Sequence, residues 1–482
     1  MSRLSRPKKD AFSFPAHAMK RAFGCEEEFM AWFESRRRAG YFAVEQIPFS
    51  ALQGWSFEKG SRNLVHSSGK FFRVSGIRVR TNFGAVHNWD QPIIVQPEIG
   101  ILGIITRKVS GVRYFLMQVK MEPGNVNIIQ LSPTLQATKS NYTQVHKGKL
   151  PAYLEYFLDR KKARFLVDLL QTEQGGRFLR KRNRNMIVEV DDEVELKDDF
   201  CWLTSWQIRK LLTIDNFVNM DARSVLSCAP FADGNLKKHY EMLRHPEREK
   251  VFPYLVDDTF MNDLLESMNE ERRVCNSMDD ILSWFTEWKT RYELQVTEIP
   301  LTSVRGWKHT DNEICHESGD FFSVIAVLVR AGSREVTSWS QPLLKSSSCG
   351  LIGFITAKIN NVLHFLVQAK VEPGNFDVVE MAPTVSCSNF ERRQGSTRAP
   401  QFLDAFLDAR GAAVKYSAIQ SEEGGRFFHV QNQCMVVELD HGHRIDIPDN
   451  YVWMTLGQMM ELVRRGYFNI EARCLLTCIG LF

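Results

Sequence analysis

The chain carries the same short motifs twice, at a nearly constant spacing. Gln-x-Lys-x-Glu-Pro-Gly-Asn occurs at residues 118–125 and again 250 residues later, at 368–375. Gln-x-Glu-x-Gly-Gly-Arg-Phe occurs at residues 171–178 and again 249 residues later, at 420–427. A register that persists over so much of the chain indicates a duplicated domain.

The duplication predicts the domain organisation. We place the first copy at about residues 20–230, a linker at 231–267 and the second copy at about 268–482. A chain of 482 residues is also too long for one ordinary hydrophobic core. The linker matches neither copy and is rich in charge, but its apolar residues are too frequent for pure coil. We therefore expect some helix within it.

Each copy mixes helical and strand patterns, which predicts a fold of the α+β class. Apolar residues at helical spacing open the two copies, at 29–33 and 281–285. Apolar runs of strand length follow at 99–106 and 351–356.

Two further elements are predicted towards the end of each copy. Residues 154–170 and 403–419 have the pattern of amphipathic helices. Residues 186–190 and 435–439 have the pattern of closing strands.

The polar residues of the first motif fall on a segment that alternates like a β-strand. Because alternate side chains share one face, its glutamine, lysine and glutamate form a row about 13 Å long. The row consists of Gln118, Lys120 and Glu122 in the first copy and of Gln368, Lys370 and Glu372 in the second. A solvated strand face with a weak surface ion pair is the alternative. The row is kept in both copies while its apolar neighbours differ, which favours a catalytic site.

Other residues have the chemistry to bind a nucleotide. Tryptophans can stack on a base, a loop rich in hydroxyl and amide groups can bind phosphate, and a Gly-Gly-Arg turn can offer amides and a guanidinium. Each group has a structural alternative, namely a buried ring, an ordinary turn, or a hairpin with a structural arginine. The candidates are Trp55, Gln118, Asn125, Thr138, Lys139, Ser140, Asn141, Tyr142, Arg177, Trp307, Asn375, Ser388, Asn389 and Arg426.

The sequence lacks the usual signatures of several functional classes. A net charge of +4 does not by itself indicate a nucleic-acid binder. There is no Gly-x-Gly-x-x-Gly opening a helix, no Walker loop, no serine nucleophile elbow and no zinc-ligand spacing among the ten scattered cysteines. Residues 1–15 contain no apolar core of signal-peptide length, and the longest apolar run, 99–105, is far shorter than a membrane span, so we expect a soluble, cytoplasmic protein.

At these motifs the chain resembles the NDP-hexose 2,3-dehydratases of deoxysugar biosynthesis. The resemblance rests on Gln-x-Lys-x-Glu-Pro-Gly-Asn with its following Ser-Pro-Thr or Ala-Pro-Thr, on Thr-x-Ser-Asn-Tyr, and on Gln-x-Glu-x-Gly-Gly-Arg-Phe. It covers nearly all of both copies. It implies a tandem duplication of a Nudix-like mixed-sheet domain with flanking helices, a homodimer, and no metal or other cofactor.

The resemblance also implies the reaction. The substrate would be dTDP-4-keto-6-deoxy-D-glucose, which loses its C2 hydroxyl after abstraction of the C3 proton. The 3,4-diketo-2,6-dideoxy product is unstable and would pass to a 3-ketoreductase. We expect Glu372 to act as base or acid and Lys370 to lie beside the C4 oxygen, with Gln368 and Asn375 positioning the substrate. Their first-copy equivalents are Glu122, Lys120, Gln118 and Asn125.

Two other functions stay open on the sequence. A Nudix-type pyrophosphohydrolase would cleave the sugar nucleotide and would require magnesium. A non-catalytic binding protein would hold the sugar nucleotide without consuming it. The sequence also leaves open which of the two copies is catalytic.

Overall fold

A computed structural model describes residues 19–139, 150–229, 258–332, 336–388, 399–410, 413–440 and 445–479. Its helices are α1 (Glu26–Ala39), α2 (Glu155–Leu158), α3 (Ser205–Leu211), α4 (Met220–Leu226), α5 (Asp258–Asn269), α6 (Met278–Arg291), α7 (Leu403–Leu407), α8 (Leu456–Arg464) and α9 (Ile470–Ile479). Short 3-10 helices lie at Phe49–Ala51 and Leu301–Ser303.

The order of the strands along the chain is nearly the same in both copies. Those that begin in the first copy are β1 (Phe42–Ile47), β2 (Trp55–Phe57), β3 (Leu64–His66), β4 (Arg73–Thr81), β5 (Asn88–Val95), β6 (Gly100–Val109), β7 (Val112–Met121), β8 (Ile129–Ser132), β9 (Leu135–Ala137), β10 (Arg164–Thr172), β11 (Arg182–Glu189) and β12 (Phe200–Thr204). Those of the second copy are β13 (Leu294–Ile299), β14 (Trp307–His309), β15 (Glu313–His316), β16 (Ser323–Ala331), β17 (Ser338–Lys345), β18 (Gly350–Ile359), β19 (Val362–Lys370), β20 (Glu380–Ala382), β21 (Val385–Cys387), β22 (Val414–Ser421), β23 (Phe427–Phe428), β24 (Gln431–Glu438) and β25 (Tyr451–Thr455).

Each copy contains one large mixed sheet of seven strands. In the first copy the order is β10-β11-β6-β7-β12, with β8 beside β7 and β9 beside β6. The second copy repeats this order with β22, β24, β18, β19 and β25, and places β20 beside β19 and β21 beside β18. In both sheets the central pair, β6 with β11 and β18 with β24, is parallel. The repeated topology confirms the predicted α+β class and the duplication.

The two copies exchange one strand each in their smaller sheets. Strand β1 of the first copy pairs antiparallel with β16 of the second. Strand β13 of the second copy pairs antiparallel with β4 of the first. Because the exchange is reciprocal, each small sheet is built from both copies, and neither copy completes its own sheet.

One hydrophobic core also runs through both copies. It contains buried residues of β7 and β12 together with those of β19 and β25. Helix α5 comes from the end of the predicted linker and adds Phe260, Met261 and Leu264 to this core, each at most 2% exposed. Burial of such side chains is the main stabilising contribution to a fold. Separating the copies would expose this shared core to water.

Most of the predicted elements are confirmed. Helices α1 and α6 open the two copies, and the predicted apolar runs and closing strands form β6, β18, β11 and β24. The hairpin between β6 and β7 turns at Ser110 and Gly111, with φ of 50° and 80°. The hairpin between β18 and β19 turns at Asn360 and Asn361, with φ of 52° and 63°. Two successive left-handed residues are what a two-residue type I′ hairpin requires.

The predicted helices at 154–170 and 403–419 are wrong. Each region holds only a short helix, α2 or α7, which is followed by a strand, β10 or β22. A register shift interrupts each strand, between Phe165 and Val167 in β10 and between Val414 and Tyr416 in β22. The extra residue breaks the two-residue alternation that identifies a strand, so the remaining pattern resembles a helix.

Candidate active site

The polar row of the first copy lines a large cavity between the two copies. Strand β7 brings Gln118 and Lys120 to this first cavity, and the turn after β7 brings Glu122. Lys120 Nζ lies 2.9 Å from Glu122 Oε1, and both side chains are largely shielded from solvent. The cavity has a volume of about 1050 Å³, and residues of the second copy, among them Trp339 and Arg426, complete its wall.

A hydrogen-bonded chain leads from the lysine to a buried carboxyl. Lys120 Nζ donates to Gln136 Oε1 at 2.7 Å, and Gln136 Nε2 donates to Asp221 Oδ2. Asp221 lies at the start of α4 and is 4% exposed. Burial and then the charges of three nearby carboxylates, first that of Glu423, raise the pKa of Asp221 well above its usual value. A raised pKa favours the neutral, proton-donating form of this carboxyl.

Two more ionisable side chains line the first cavity. Burial and then the charge of Glu423 raise the pKa of Glu173 to about 7, although Asn183 Nδ2 donates to its Oε1 at 2.7 Å. Burial lowers the pKa of Lys181, whose Nζ donates to the backbone carbonyl of Glu98. Perturbed pKa values of this kind are concentrated at functional sites.

Aromatic rings and a guanidinium form another part of the first cavity. Trp55 is buried and packs edge-to-face on His66, with ring centroids 5.3 Å apart. Phe71 packs on the same histidine and stays partly exposed. The Arg426 guanidinium lies 4.3 Å from the centre of the Phe72 ring. A cavity that offers both an exposed ring and a guanidinium suits a ligand that carries a base and a diphosphate.

Two members of the polar row of the second copy, Lys370 and Glu372, line a smaller, second cavity of about 260 Å³. Lys370 Nζ lies 2.8 Å from Glu372 Oε1. Burial lowers the pKa of Lys370, but the charges of Glu372 and Glu471 outweigh this effect and leave the pKa raised. Burial and then the charge of Glu372 raise the pKa of Glu471 to about 8. The first copy contributes Arg177, whose guanidinium lies 4.3 Å from the centre of the Phe322 ring.

The Gly-Gly turns pack against the other copy. A Cβ atom at Gly424 would lie 2.1 Å from Asn125 Oδ1, and one at Gly175 would lie 2.3 Å from Asn375 Oδ1. Only glycine permits such a close approach. Both asparagines are buried in these contacts. The glycines thus serve the packing of the two copies, while the arginines that follow them reach the cavities.

The structure brings some of the predicted site residues together and separates others. The first cavity is lined by Trp55, Gln118, Lys120, Glu122, Thr138 and Arg426, and the second by Arg177, Lys370, Glu372 and Ser388. Five other described candidates line neither of these cavities: Asn125, Lys139, Trp307, Gln368 and Asn375. Trp307 Nε1 donates instead to the backbone carbonyl of Asp90 at 3.0 Å. The candidates Ser140, Asn141, Tyr142 and Asn389 lie outside the described residues.

The sequence interpretation missed most of the polar residues of the first cavity, among them Gln136, Glu173, Lys181, Asp221 and Glu423. The duplication held a signal for Asp221, because Asn-Met-Asp-Ala-Arg at 219–223 recurs as Asn-Ile-Glu-Ala-Arg at 469–473. Gln136 and Lys181 had no such signal, since Ser386 and Val430 occupy their counterpart positions. Glu423 comes to this cavity from the other copy, which no local pattern reveals.

Two further properties concern the described part of the chain. None of its helices is both long and apolar enough to cross a membrane. Within the same residues, no three His, Cys, Asp or Glu side chains are grouped so that they could hold a metal ion. None of the ten cysteines forms a disulfide bond.

Comparison with known proteins also divides the chain into two copies. The family model for NDP-hexose 2,3-dehydratase matches residues 26–229 and again residues 278–479. A dTDP-4-dehydro-6-deoxy-alpha-D-glucopyranose 2,3-dehydratase of Saccharopolyspora spinosa is 46% identical over 455 residues, which cover 94% of this chain and 90% of that protein.

Two more relatives carry the same name. The protein from Amycolatopsis orientalis is 44% identical over 462 residues, covering 94% of this chain and 90% of its own length. The protein from Streptomyces violaceoruber is 40% identical over 455 residues, covering 94% and 96%. With two matched repeats and this level of identity along almost the whole chain, the protein belongs to the NDP-hexose 2,3-dehydratase family.

Proposed function

We propose that this protein is a dTDP-4-keto-6-deoxy-D-glucose 2,3-dehydratase that forms the 3,4-diketo-2,6-dideoxy sugar. Three relatives named for this activity are 40–46% identical to the chain. The structural support for the proposal is the first cavity. There, a lysine–glutamate ion pair and a buried carboxyl with a raised pKa face one space of about 1050 Å³. A volume of this order is sufficient for a sugar nucleotide.

The reaction needs a base, an acid and a group that stabilises negative charge. The C4 ketone acidifies the C3 proton, so that a base can remove it and leave an enolate. The electron pair then forms the C2–C3 double bond as the C2–O bond breaks. An acid protonates the leaving oxygen, which departs as water. The enol product tautomerises to the diketone, and no oxidant or reductant is consumed.

The polar row of the first copy matches two of these requirements, the base and the group that stabilises negative charge. We assign Glu122 as the base that takes the C3 proton. Lys120 lies beside the C4 oxygen, where its ammonium group stabilises the enolate. Gln118 positions the sugar through hydrogen bonds. The distance of 2.9 Å between Lys120 Nζ and Glu122 Oε1 allows both to reach adjacent atoms of one sugar ring.

The remaining part of the first cavity suits the nucleotide. Arg426 offers a guanidinium to the diphosphate, and Thr138 offers a hydroxyl. Phe71 and Trp55 offer aromatic surface to the thymine base. Arg426 packs on Phe72, which contacts Trp55, so the diphosphate and the base would bind to neighbouring parts of one cavity.

We assign the reaction to the first cavity because the second cavity lacks part of this set. Its volume is about 260 Å³, compared with about 1050 Å³ for the first. Ser386 and Val430 stand at the positions that correspond to Gln136 and Lys181. The second cavity therefore keeps the lysine–glutamate pair without the amide link to a further carboxyl and without the second lysine.

Several broader expectations belong to the same proposal. The two copies, at about 20–230 and 268–482 with 231–267 between them, are Nudix-like domains. The protein acts as a cytoplasmic homodimer without a metal or redox cofactor. Its product is a reactive diketone, so a 3-ketoreductase that consumes it is the expected next enzyme.

The direct test is incubation of the purified protein with dTDP-4-keto-6-deoxyglucose in the presence of a 3-ketoreductase and NADPH. We expect a dTDP-2,6-dideoxy sugar, detected by mass, whether or not EDTA is present. Release of dTMP and a sugar phosphate that stops on addition of EDTA would instead indicate a pyrophosphohydrolase. Binding of the substrate without consumption would indicate a binding protein. Either result would overturn the proposal.

A further inference from the structure

We propose that Asp221 and Glu423, one residue from each copy, form a proton-sharing carboxyl pair that protonates the C2 hydroxyl as it leaves the substrate. The proposal rests on the proposed function and adds the acid that the polar row does not supply. Glu122 is committed to an ion pair with Lys120 and therefore serves as a base. A base and an acid that act together must differ in protonation state, so a second, neutral carboxyl is needed.

Asp221 has the surroundings of such an acid. Its carboxyl is buried, lines the first cavity and accepts a hydrogen bond from Gln136 Nε2 on Oδ2. This bond favours a proton on the other oxygen, Oδ1. Gln136 accepts from Lys120 Nζ at 2.7 Å, so the amide fixes the distance between the acid and the lysine that faces the C4 oxygen. Acid, lysine and base thus share one cavity wall.

Glu423 supplies the second carboxyl from the Gly-Gly turn of the second copy. It lines the same cavity, and its charge is the first of the neighbouring charges that raise the pKa of Asp221. Two carboxyls in one buried site do not both ionise readily, so the charge of Glu423 favours a proton on Asp221. The other charged groups that face the pair are Glu122, Glu173, Lys120, Lys181 and Arg426.

The second cavity lacks the complete carboxyl pair. Gln174 stands at the position that corresponds to Glu423, and its Nε2 donates to Glu422 Oε2 at 2.7 Å. An amide at this position satisfies a carboxylate and cannot share a proton with one. Asp221 corresponds to Glu471, so the second cavity keeps one carboxyl of the two. Of the two cavities, only the first holds the complete pair. The first cavity also contains Lys120, Gln136 and Lys181 and is large enough for the substrate.

The proton balance of the cycle closes with these residues. Glu122 gains the proton from C3, and the pair loses one to the departing oxygen, which leaves as water. During tautomerisation Glu122 returns its proton to C2, and the C3 enol hydroxyl returns one to the pair. Every group regains its initial state after one turnover.

The test separates proton abstraction from departure of the leaving group. Asp221→Asn, Glu423→Gln and the matched control Glu471→Gln are incubated with substrate in D2O. Deuterium at C3 of recovered substrate and formation of product are both followed by mass. We expect Asp221→Asn to lower elimination by about 10²–10⁴-fold while C3 exchange continues. We expect Glu471→Gln to stay within about three-fold of the wild type in both measurements.

Glu423→Gln is a second, independent test of the pair. The protein should tolerate this change, because glutamine occupies the corresponding position 174 of the first copy. Loss of its charge lowers the pKa of Asp221, so the alkaline limb of the kcat–pH profile moves to lower pH and kcat falls at least about ten-fold at neutral pH. Unchanged thermal unfolding confirms that the variant is folded.

Two results overturn the carboxyl pair: turnover within about three-fold of the wild type in both variants, or parallel loss of exchange and elimination in Asp221→Asn. A wild-type protein that neither exchanges nor eliminates overturns the proposed function as well.

Discussion

The backbone N–H of Gly124 donates to the carbonyl oxygen of Gly424 at 2.8 Å, which joins the turn after β7 in the first copy to the Gly-Gly turn of the second. The reciprocal bond runs from Gly374 to Gly175 at 2.7 Å. In each contact, the Glu-Pro-Gly-Asn turn of one copy therefore packs against the Gly-Gly turn of the other copy. This contact holds the ion pair of one copy beside the arginine of the other, so each cavity depends on both copies.

The close packing of these turns predicts an asymmetry between adjacent glycines. In Gly175→Ala the new Cβ meets Asn375 Oδ1 at 2.3 Å, and we expect the free energy of unfolding to fall by about 1–3 kcal/mol. In Gly176→Ala the nearest atom is 3.9 Å away, so the stability should stay within about 0.5 kcal/mol of the wild type or rise slightly. Chemical unfolding of both variants measures the difference. Equal stabilities would show that the turns are not tightly docked.

The two lysines of the repeated motif provide a matched test of which cavity is catalytic. Lys120→Met should lower kcat by about 10²–10³-fold, because the enolate loses its stabilising charge. Lys370→Met removes a lysine of similar burial and similar ion pairing, and its kcat should remain within about three-fold of the wild type. Steady-state assays with the coupled reductase measure both variants. The opposite order of effects would move the reaction to the second cavity.

The buried Glu471 predicts that stability declines as the pH rises. Its folded-state pKa of about 8 lies above the ordinary value of 4.5. The folded protein therefore holds a proton that the unfolded chain has released, and the free energy of unfolding falls by about 1.4 kcal/mol per pH unit between these values. Glu173 and Glu380, each with a pKa of about 7, act in the same direction.

Glu471→Gln should remove its share of this slope, which urea unfolding at about pH 5 and about pH 8 can measure. The control is Glu461→Gln, which breaks an exposed ion pair on α8 and should keep the wild-type slope. A slope as steep in Glu471→Gln as in the wild type would contradict the assignment.

Asp90 predicts a loss of stability at acid pH. Its side chain is fully buried, and it binds Arg78 of its own copy and Arg305 of the second copy at 2.9–3.1 Å. Burial alone would raise its pKa, but these hydrogen bonds lower it to about 2. The stabilisation is present above the ordinary value near 4 and is lost as the pH falls towards 2.

At neutral pH we expect Asp90→Asn to lower the free energy of unfolding by about 1–3 kcal/mol, because both arginines are partly exposed and regain water. Glu298→Gln is the control, since it weakens the half-exposed pair with Arg73 across the same interface and should cost at most about 1 kcal/mol. The difference between wild type and Asp90→Asn should vanish near pH 2. A difference that persists there would show that packing, not charge, is responsible.

The sequence by itself determined the duplication, the α+β class, the hairpin that carries the polar row and the resemblance to its family. These features depend on short-range patterns, such as the alternation that places Lys120 and Glu122 on one face of a strand. It did not determine strands β10 and β22, because a bulge in each breaks the alternation and only pairing with β11 and β24 makes them strands.

The composition of the site was decided by the tertiary structure. Glu423 and Arg426 lie about 300 residues from Lys120 in the chain, and only the docking of the two copies brings them to one cavity. Burial, which sets the protonation state of Asp221, is likewise a property of the folded protein. Local sequence specifies which groups are present on a strand, whereas the distances and the dielectric surroundings that give them their chemistry arise from contacts between the copies.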